Sequence, residues 1–143
     1  RPDVALVCPL HTNPNVRPVL GAHLAGLDNA ILLDPLDYPH FVRLLAMSDL
    51  VLTDSGGIQE EAPAFGKPVL VMRAHTERTE GLAAGTARLI GTDPDGIVAE
   101  VNALLDDPVR YRAMARAHNP YGDGRAAERI AFILAAKGAR SAI

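Results

Sequence analysis

The chain has 143 residues, a formal net charge of −3 and a single cysteine. This length suits one domain, and the acidic balance argues against a general nucleic-acid-binding protein, which needs a basic surface to displace counterions. One cysteine excludes an internal disulfide and a cysteine zinc cluster, and no apolar run approaches the ~20 residues that span a bilayer.

Short apolar runs alternate with longer amphipathic segments. The apolar runs predict five buried strands, at Val4–Cys8, Ala30–Leu33, Leu50–Thr53, Pro68–Met72 and, more weakly, Ala87–Ile90. Apolar residues at helical spacing predict helices over Val16–Leu24, Tyr38–Met47, Gly57–Phe65, Ile97–Leu105, Pro108–Ala117 and Arg125–Lys137. Asp93-Pro94 is typical of a helix cap followed by a proline in the first turn. This alternation indicates βαβ units, and therefore an α/β fold with a doubly wound parallel sheet.

The most informative segment is Leu50–Glu61, LVLTDSGGIQEE, where a strand leads through a glycine turn into a helix. In an open α/β sheet, ligands bind at the carboxyl ends of the strands. Gly56 and Gly57 let a ligand approach the backbone closely, and the amides at the start of a helix favour a phosphate, to which Ser55 can add a hydroxyl donor. The alternative is a plain connection in which Ser55 caps the helix. The pattern is neither the phosphate loop that ends in Gly-Lys-Ser/Thr nor Gly-x-Gly-x-x-Gly.

Two acidic residues follow the glycines, and we expect both in the first helical turn, where acids complement the helix dipole. Glu61 lies about one turn beyond Gly57, a distance from which a carboxylate can accept hydrogen bonds from ribose hydroxyls. Glu60 is expected to cap the helix or to face solvent.

A polar loop, Arg73–Glu80, follows the next predicted strand. Arg78 can pair with phosphate through its planar fork of donors. The alternative is a surface salt bridge with Glu77 or Glu80, which contributes little stability.

Two further segments also follow predicted strands. Asp34–Phe41 can line a base pocket, although the residues alone favour the alternative that Phe41 is simply a core residue at the start of a helix. His11 has a near-neutral pKa suited to proton transfer or ligand pairing, but a lone histidine is more often a loop or capping residue. Asn119–Gly124, NPYGDG, is a turn-rich connection before the last helix.

Six segments, in this order, closely resemble the C-terminal half of the non-hydrolysing UDP-N-acetylglucosamine 2-epimerases. They are HTNPNV (His11–Val16), DPLDYPHF (Asp34–Phe41), LTDSGGIQEEAPAFGKPVLVMR (Leu52–Arg73), TERTE (Thr76–Glu80), AGT (Ala84–Thr86) and NPYGDG (Asn119–Gly124). The resemblance covers nearly the whole chain.

The resemblance implies a Rossmann-like domain, the C-terminal half of a GT-B fold, over residues 1–143. It implies reversible conversion of UDP-GlcNAc to UDP-ManNAc by elimination and re-addition of UDP, with neither NAD nor a metal ion required. It also implies these nucleotide sugars as ligands, no nucleic-acid or membrane partner, a homodimer at full length and a cytoplasmic location.

By position, the resemblance implies that Ser55, Gly56 and Gly57 bind the diphosphate and that Glu61 holds the ribose hydroxyls. Leu36, through its main chain, and Phe41 are expected to contact uracil, and Arg78 falls on a ligand-contacting position. His11 matches a histidine at the domain interface, where bacterial members bind a regulatory UDP-GlcNAc.

The chain departs from the family pattern in two ways. Thr79 replaces the proline of a TERPE motif, which loosens the backbone near Arg78, and HTNP replaces HPNP or HLNP. In addition, the acid and base carboxylates of the family, and a GHRREN-type segment, lie outside this sequence. We therefore expect the chain to lack the first strand–helix unit of its domain, to bind UDP only weakly and to be inactive alone. The alternatives are half of a GT-B glycosyltransferase and a non-catalytic nucleotide-sugar-binding domain.

Overall fold

Strands and helices alternate along the chain, as the apolar pattern predicts. The computed structural model describes the backbone of residues 1–140 and the side chains of residues 1–136. The strands are β1 (Leu6–Pro9), β2 (Ala30–Leu33), β3 (Val51–Thr53), β4 (Val69–Val71) and β5 (Ala87–Leu89). The helices are α1 (Val16–Leu24), α2 (Tyr38–Met47), α3 (Gly56–Glu61), a 3₁₀ helix (Ala62–Phe65), α4 (Thr79–Ala84), α5 (Pro94–Asp106), α6 (Pro108–Ala115) and α7 (Ala126–Arg140).

All the strand pairs are parallel, which confirms the predicted α/β class. β1 pairs with β2, with Leu6 opposite Ala30. β3, β4 and β5 form a second sheet in chain order. The chain divides into two compact units, Arg1–Leu44 and a unit that begins at Leu45.

The core of the second unit is centred on β4. Val69, Leu70 and Val71 are completely buried, as expected for a continuous apolar strand covered on both faces. Leu104 of α5 and Met114 of α6 pack with Leu70 in one apolar cluster. This packing fixes the carboxyl ends of β3 and β4, from which the two polar loops of the candidate site extend.

The predicted helix Gly57–Phe65 begins one residue earlier and changes type at Ala62. Pro63 has no amide hydrogen with which to continue the α-helical ladder, so the chain tightens into a 3₁₀ turn. Gly66 then ends it with a left-handed φ of 65°, a conformation that glycine adopts without strain.

Several other boundaries differ from the sequence interpretation, and β1, for example, is Leu6–Pro9 rather than Val4–Cys8. α5 begins at Pro94, and the Asp93 side chain accepts a hydrogen bond from the Gly96 amide at 2.8 Å, which confirms the predicted cap. The sequence interpretation missed α4, because its six residues are too few to show an apolar period.

Candidate functional site

The turn between β3 and α3 leaves the start of the helix open. The Thr53 hydroxyl oxygen accepts a hydrogen bond from the Ser55 amide at 3.1 Å, so the buried strand end holds the turn. Ser55 is extended and exposed, and its side chain makes no capping hydrogen bond to α3. The alternative in which the Ser55 side chain caps the helix is therefore wrong. The Ser55 hydroxyl lies at the surface beside Gly57, which is also exposed.

Arg78 lies directly against Gly56. A Cβ on Gly56 would be 3.3 Å from Cζ of Arg78 and 3.4 Å from its Nη2. Glycine at this position thus gives the guanidinium room to approach the backbone at the start of α3. The structure brings together a cation and an uncapped helix start, two groups that attract an anion.

Two carboxylates hold the Arg78 side chain from the other side. Nε donates to Oε1 of Glu60 at 2.7 Å, and Nη1 donates to Oε1 of Glu77 at 2.8 Å. The hydrogen bond to Glu60 raises the pKa of the guanidinium above its ordinary value. The predicted pair with Glu77 is present. Glu60 pairs with Arg78 and does not cap the helix, but its side chain is 44% exposed, as the solvent-facing alternative predicts. These two bonds use Nε and Nη1, while Cζ, Nη2 and Nε lie 3.3, 3.4 and 3.5 Å from the Cβ position of Gly56.

Glu61 has a buried oxygen without a partner. Its Oε2 is inaccessible to solvent and makes no hydrogen bond to any residue in the described part of the chain. Its Oε1 lies 4.0 Å from the place that a Cβ on Gly57 would occupy. Because α3 starts at Gly56, both Glu60 and Glu61 lie beyond the first turn, which corrects their predicted placement. Burying a carboxylate oxygen away from water costs free energy unless a hydrogen-bond donor reaches it.

Sequence reasoning missed two residues that join the two loops. The Gln59 amide oxygen accepts from the Thr76 hydroxyl at 2.7 Å, and its amide nitrogen donates to the Ser55 carbonyl at 3.2 Å. A signal was present in the sequence, since Gln59 lies four residues before Pro63, which is buried. That spacing places a polar side chain on the buried face of the helix.

Tyr121, which the sequence placed in a plain connection, reaches the start of α4. Its hydroxyl accepts a hydrogen bond from the Gly81 amide at 3.1 Å. Burial raises the pKa of the Tyr121 phenol. The hexapeptide thus satisfies an amide in the first turn of α4.

Leu36 and Phe41 belong to the first unit and are half-buried. Leu36 lies between β2 and α2, and the Phe41 amide donates to the Asp37 carbonyl at 3.0 Å. Asp37 caps α2 by accepting from the His40 amide at 3.1 Å, and this bond lowers the pKa of the carboxyl. A uracil contact for Leu36 and Phe41 stays a prediction.

His11 also lies in the first unit, in a pocket of about 380 Å³. Its Nδ1 accepts a hydrogen bond from the Asn13 amide at 3.0 Å, as the loop-capping alternative predicts. Arg17 lines the same pocket and pairs with Asp34.

Residues 1–140 show neither a metal-binding cluster nor a membrane-spanning helix. No group of three or more His, Cys, Asp or Glu side chains in this range could hold a metal ion. None of the helices in the same range has both the length and the apolar character needed to cross a bilayer.

Comparisons with known proteins agree with these features. A profile of the UDP-N-acetylglucosamine 2-epimerase family matches residues 1–135. The UDP-N-acetylglucosamine 2-epimerase of Escherichia coli K12 is 58% identical over 128 residues, which are 90% of this chain and 34% of that relative. The chain thus spans about a third of the length of the curated relatives it matches.

Two solved structures resemble the chain closely. S. aureus MnaA, in a co-structure with UDP, superposes with a TM-score of 0.88 at 50% identity, covering 92% of this chain and 36% of that one. UDP-GlcNAc 2-epimerase from Neisseria meningitidis bound to UDP-GlcNAc superposes with a TM-score of 0.86 at 46% identity, covering 91% and 35%.

Proposed function

Because the chain belongs to the UDP-N-acetylglucosamine 2-epimerase family, we propose that it is the part of such an enzyme that binds the UDP group of UDP-GlcNAc and UDP-ManNAc. The observation that carries the proposal is the Arg78 guanidinium placed against Gly56 at the uncapped start of α3. UDP and UDP-GlcNAc in two of the similar structures support the choice of ligand.

Each group at the site has a role in this proposal. The backbone at Gly56 and Gly57, the Ser55 hydroxyl and the Arg78 fork bind the diphosphate through charge-assisted hydrogen bonds. Glu61 accepts hydrogen bonds from the ribose hydroxyls through Oε1, which lies 4.0 Å from the Cβ position of Gly57. Leu36, through its main chain, and Phe41 contact uracil.

The proposed reaction is elimination of UDP followed by its return. A base removes the proton from C2 as the C1–O bond to UDP breaks, which gives a glycal and free UDP. UDP then bonds again to C1, and a proton returns to C2 from the opposite face. The departing diphosphate gains negative charge, which Arg78 and the helix amides stabilise. We expect the groups that exchange the C2 proton to lie elsewhere in the whole enzyme, so that the chain alone is inactive.

His11 and the pocket around it form a second proposed site, which binds a regulatory nucleotide sugar. The volume of about 380 Å³ and the presence of Arg17 in the wall support this assignment. A cation can pair with phosphate there only by exchanging its contact with Asp34.

Titration of this chain with UDP, followed through its backbone amide NMR signals, tests the binding site. We expect Gly56, Gly57 and Arg78 to shift at millimolar UDP and to respond much less to uridine, which has no phosphate. Shifts confined to other residues, or no response to UDP, would reject the site.

A chimera tests the reaction. In it, this chain replaces the matching third of the E. coli relative, which keeps the remainder of that enzyme. With UDP-GlcNAc in heavy water, we expect UDP-ManNAc that carries deuterium at C2, and no exchange with this chain alone. Turnover without deuterium would contradict the elimination route.

A further inference from the structure

Gln59 is a buried amide with both ends bonded. The residue is 0% exposed, its Nε2 donates to the Ser55 carbonyl at 3.2 Å, and its Oε1 accepts from the Thr76 hydroxyl at 2.7 Å. A buried amide is costly unless its polar atoms are paired. These two bonds therefore hold the α3 turn and the Arg78 loop at a fixed separation.

The direction of these bonds is determined. Nε2 must face the Ser55 carbonyl, since only the nitrogen end of the amide can donate to it. Oε1 then faces Thr76, which donates its single hydroxyl proton in that bond. The Thr76 oxygen can only accept thereafter, and it accepts from the Arg78 amide at 3.1 Å. One continuous chain of hydrogen bonds runs from the Arg78 backbone to the Ser55 carbonyl.

We propose that Gln59 and Thr76 are positioning residues, which hold the main chain of Arg78 so that its guanidinium lies against Gly56 at the distance a diphosphate requires. The inference rests on the proposed function, because the diphosphate is the ligand that it positions. The pairs with Glu60 and Glu77 orient the Arg78 guanidinium, whereas Thr76 holds the Arg78 backbone amide. A role in packing alone would weaken all ligands equally, but a positioning role weakens only those that carry phosphate.

Thr76→Val tests this inference, since valine keeps the shape and removes the hydroxyl. We expect the Kd for UDP to rise about tenfold, as loss of a well-placed hydrogen bond allows, and the weak response to uridine to stay the same. Thr76→Ser keeps the hydroxyl and should restore UDP binding. Exchange of the Arg78 amide hydrogen with solvent should be faster in Thr76→Val and normal in Thr76→Ser, even without ligand.

Thr86→Val is the matched control. Thr86 is also a buried threonine, and its hydroxyl donates to the Gly81 carbonyl at 3.2 Å. This bond does not involve the turn at Gly56. We expect this variant to lose stability, as judged by its unfolding midpoint, and to bind UDP normally.

The possible failures are distinguishable. If the unsubstituted chain binds UDP and Thr76→Val binds it equally well, or weakens UDP and uridine to the same degree, the inference is wrong and the proposed function stands. If the unsubstituted chain does not respond to UDP, the proposed function fails and the inference fails with it.

Discussion

α3 and α4 are a natural pair for comparison, because each has six residues and each follows a strand of the same sheet. At the start of α4, the protein satisfies the Gly81 amide with the Tyr121 hydroxyl. At the start of α3, Ser55 offers no side-chain cap, and Arg78 lies beside the first residue. Arg78 is itself the residue that precedes α4. The start of α4, which is closed by Tyr121, therefore supplies the cation that lies at the open, uncapped start of α3. The comparison teaches that what surrounds a helix start, rather than the helix itself, decides whether it can receive an anion.

Removing the Arg78 cation should have the largest effect on UDP binding at the start of α3. In Arg78→Ala we expect the Kd for UDP to rise about 10- to 100-fold, the range for a hydrogen bond to a charged group. Isothermal titration calorimetry with UDP measures it. Arg73→Ala is the control, since Arg73 lies in the same loop and its side chain pairs with Glu77 at 3.5 Å. Equal losses in the two variants would show a nonspecific effect of charge.

A smaller effect should follow from a methyl group at the open helix start. In Gly56→Ala the new Cβ would lie 3.3 Å from Cζ of Arg78, so the guanidinium must shift by a few tenths of an ångström. We expect UDP affinity to fall about fivefold, because overpacking displaces a positioned group. Gly21→Ala adds a methyl group where no atom lies within 4 Å other than those of the adjoining residues and of its own helix backbone, and it should leave UDP binding unchanged. Unaltered binding in Gly56→Ala would mean that Arg78 does not need its present position.

Opening the closed helix start should cost stability rather than affinity. Tyr121→Phe leaves the Gly81 amide without its acceptor, and we expect the free energy of unfolding to fall by about 1 kcal/mol. Denaturant unfolding provides this value, and a parallel UDP titration should show little change. A loss of UDP binding as large as in Arg78→Ala would contradict the separation of roles between the two helices.

The smallest expected effect comes from restoring the proline of the family motif. Thr79 is the first residue of α4, a position that proline favours because its missing amide hydrogen has no partner within the helix. Thr79→Pro should raise the free energy of unfolding by about 0.4–1 kcal/mol by restricting the unfolded chain. Thr79→Ala is the comparison variant, and it should give no such gain. Destabilisation by proline would show that the backbone around Arg78 does not match that of the relatives.

The sequence by itself determined the α/β class, the five strands and the cap at Asp93, because continuous apolar runs and local capping chemistry depend on neighbours in the chain. It also predicts Gly56, Glu61 and Arg78 as site residues, through their positions after strands and through the family motif. Only the tertiary structure decided what these residues touch. Arg78 pairs with Glu60, Gln59 bridges to Thr76, and Tyr121 closes α4 across 40 residues of chain. Such contacts join side chains that are distant in sequence, and no local pattern encodes which donor meets which acceptor once the strands have packed.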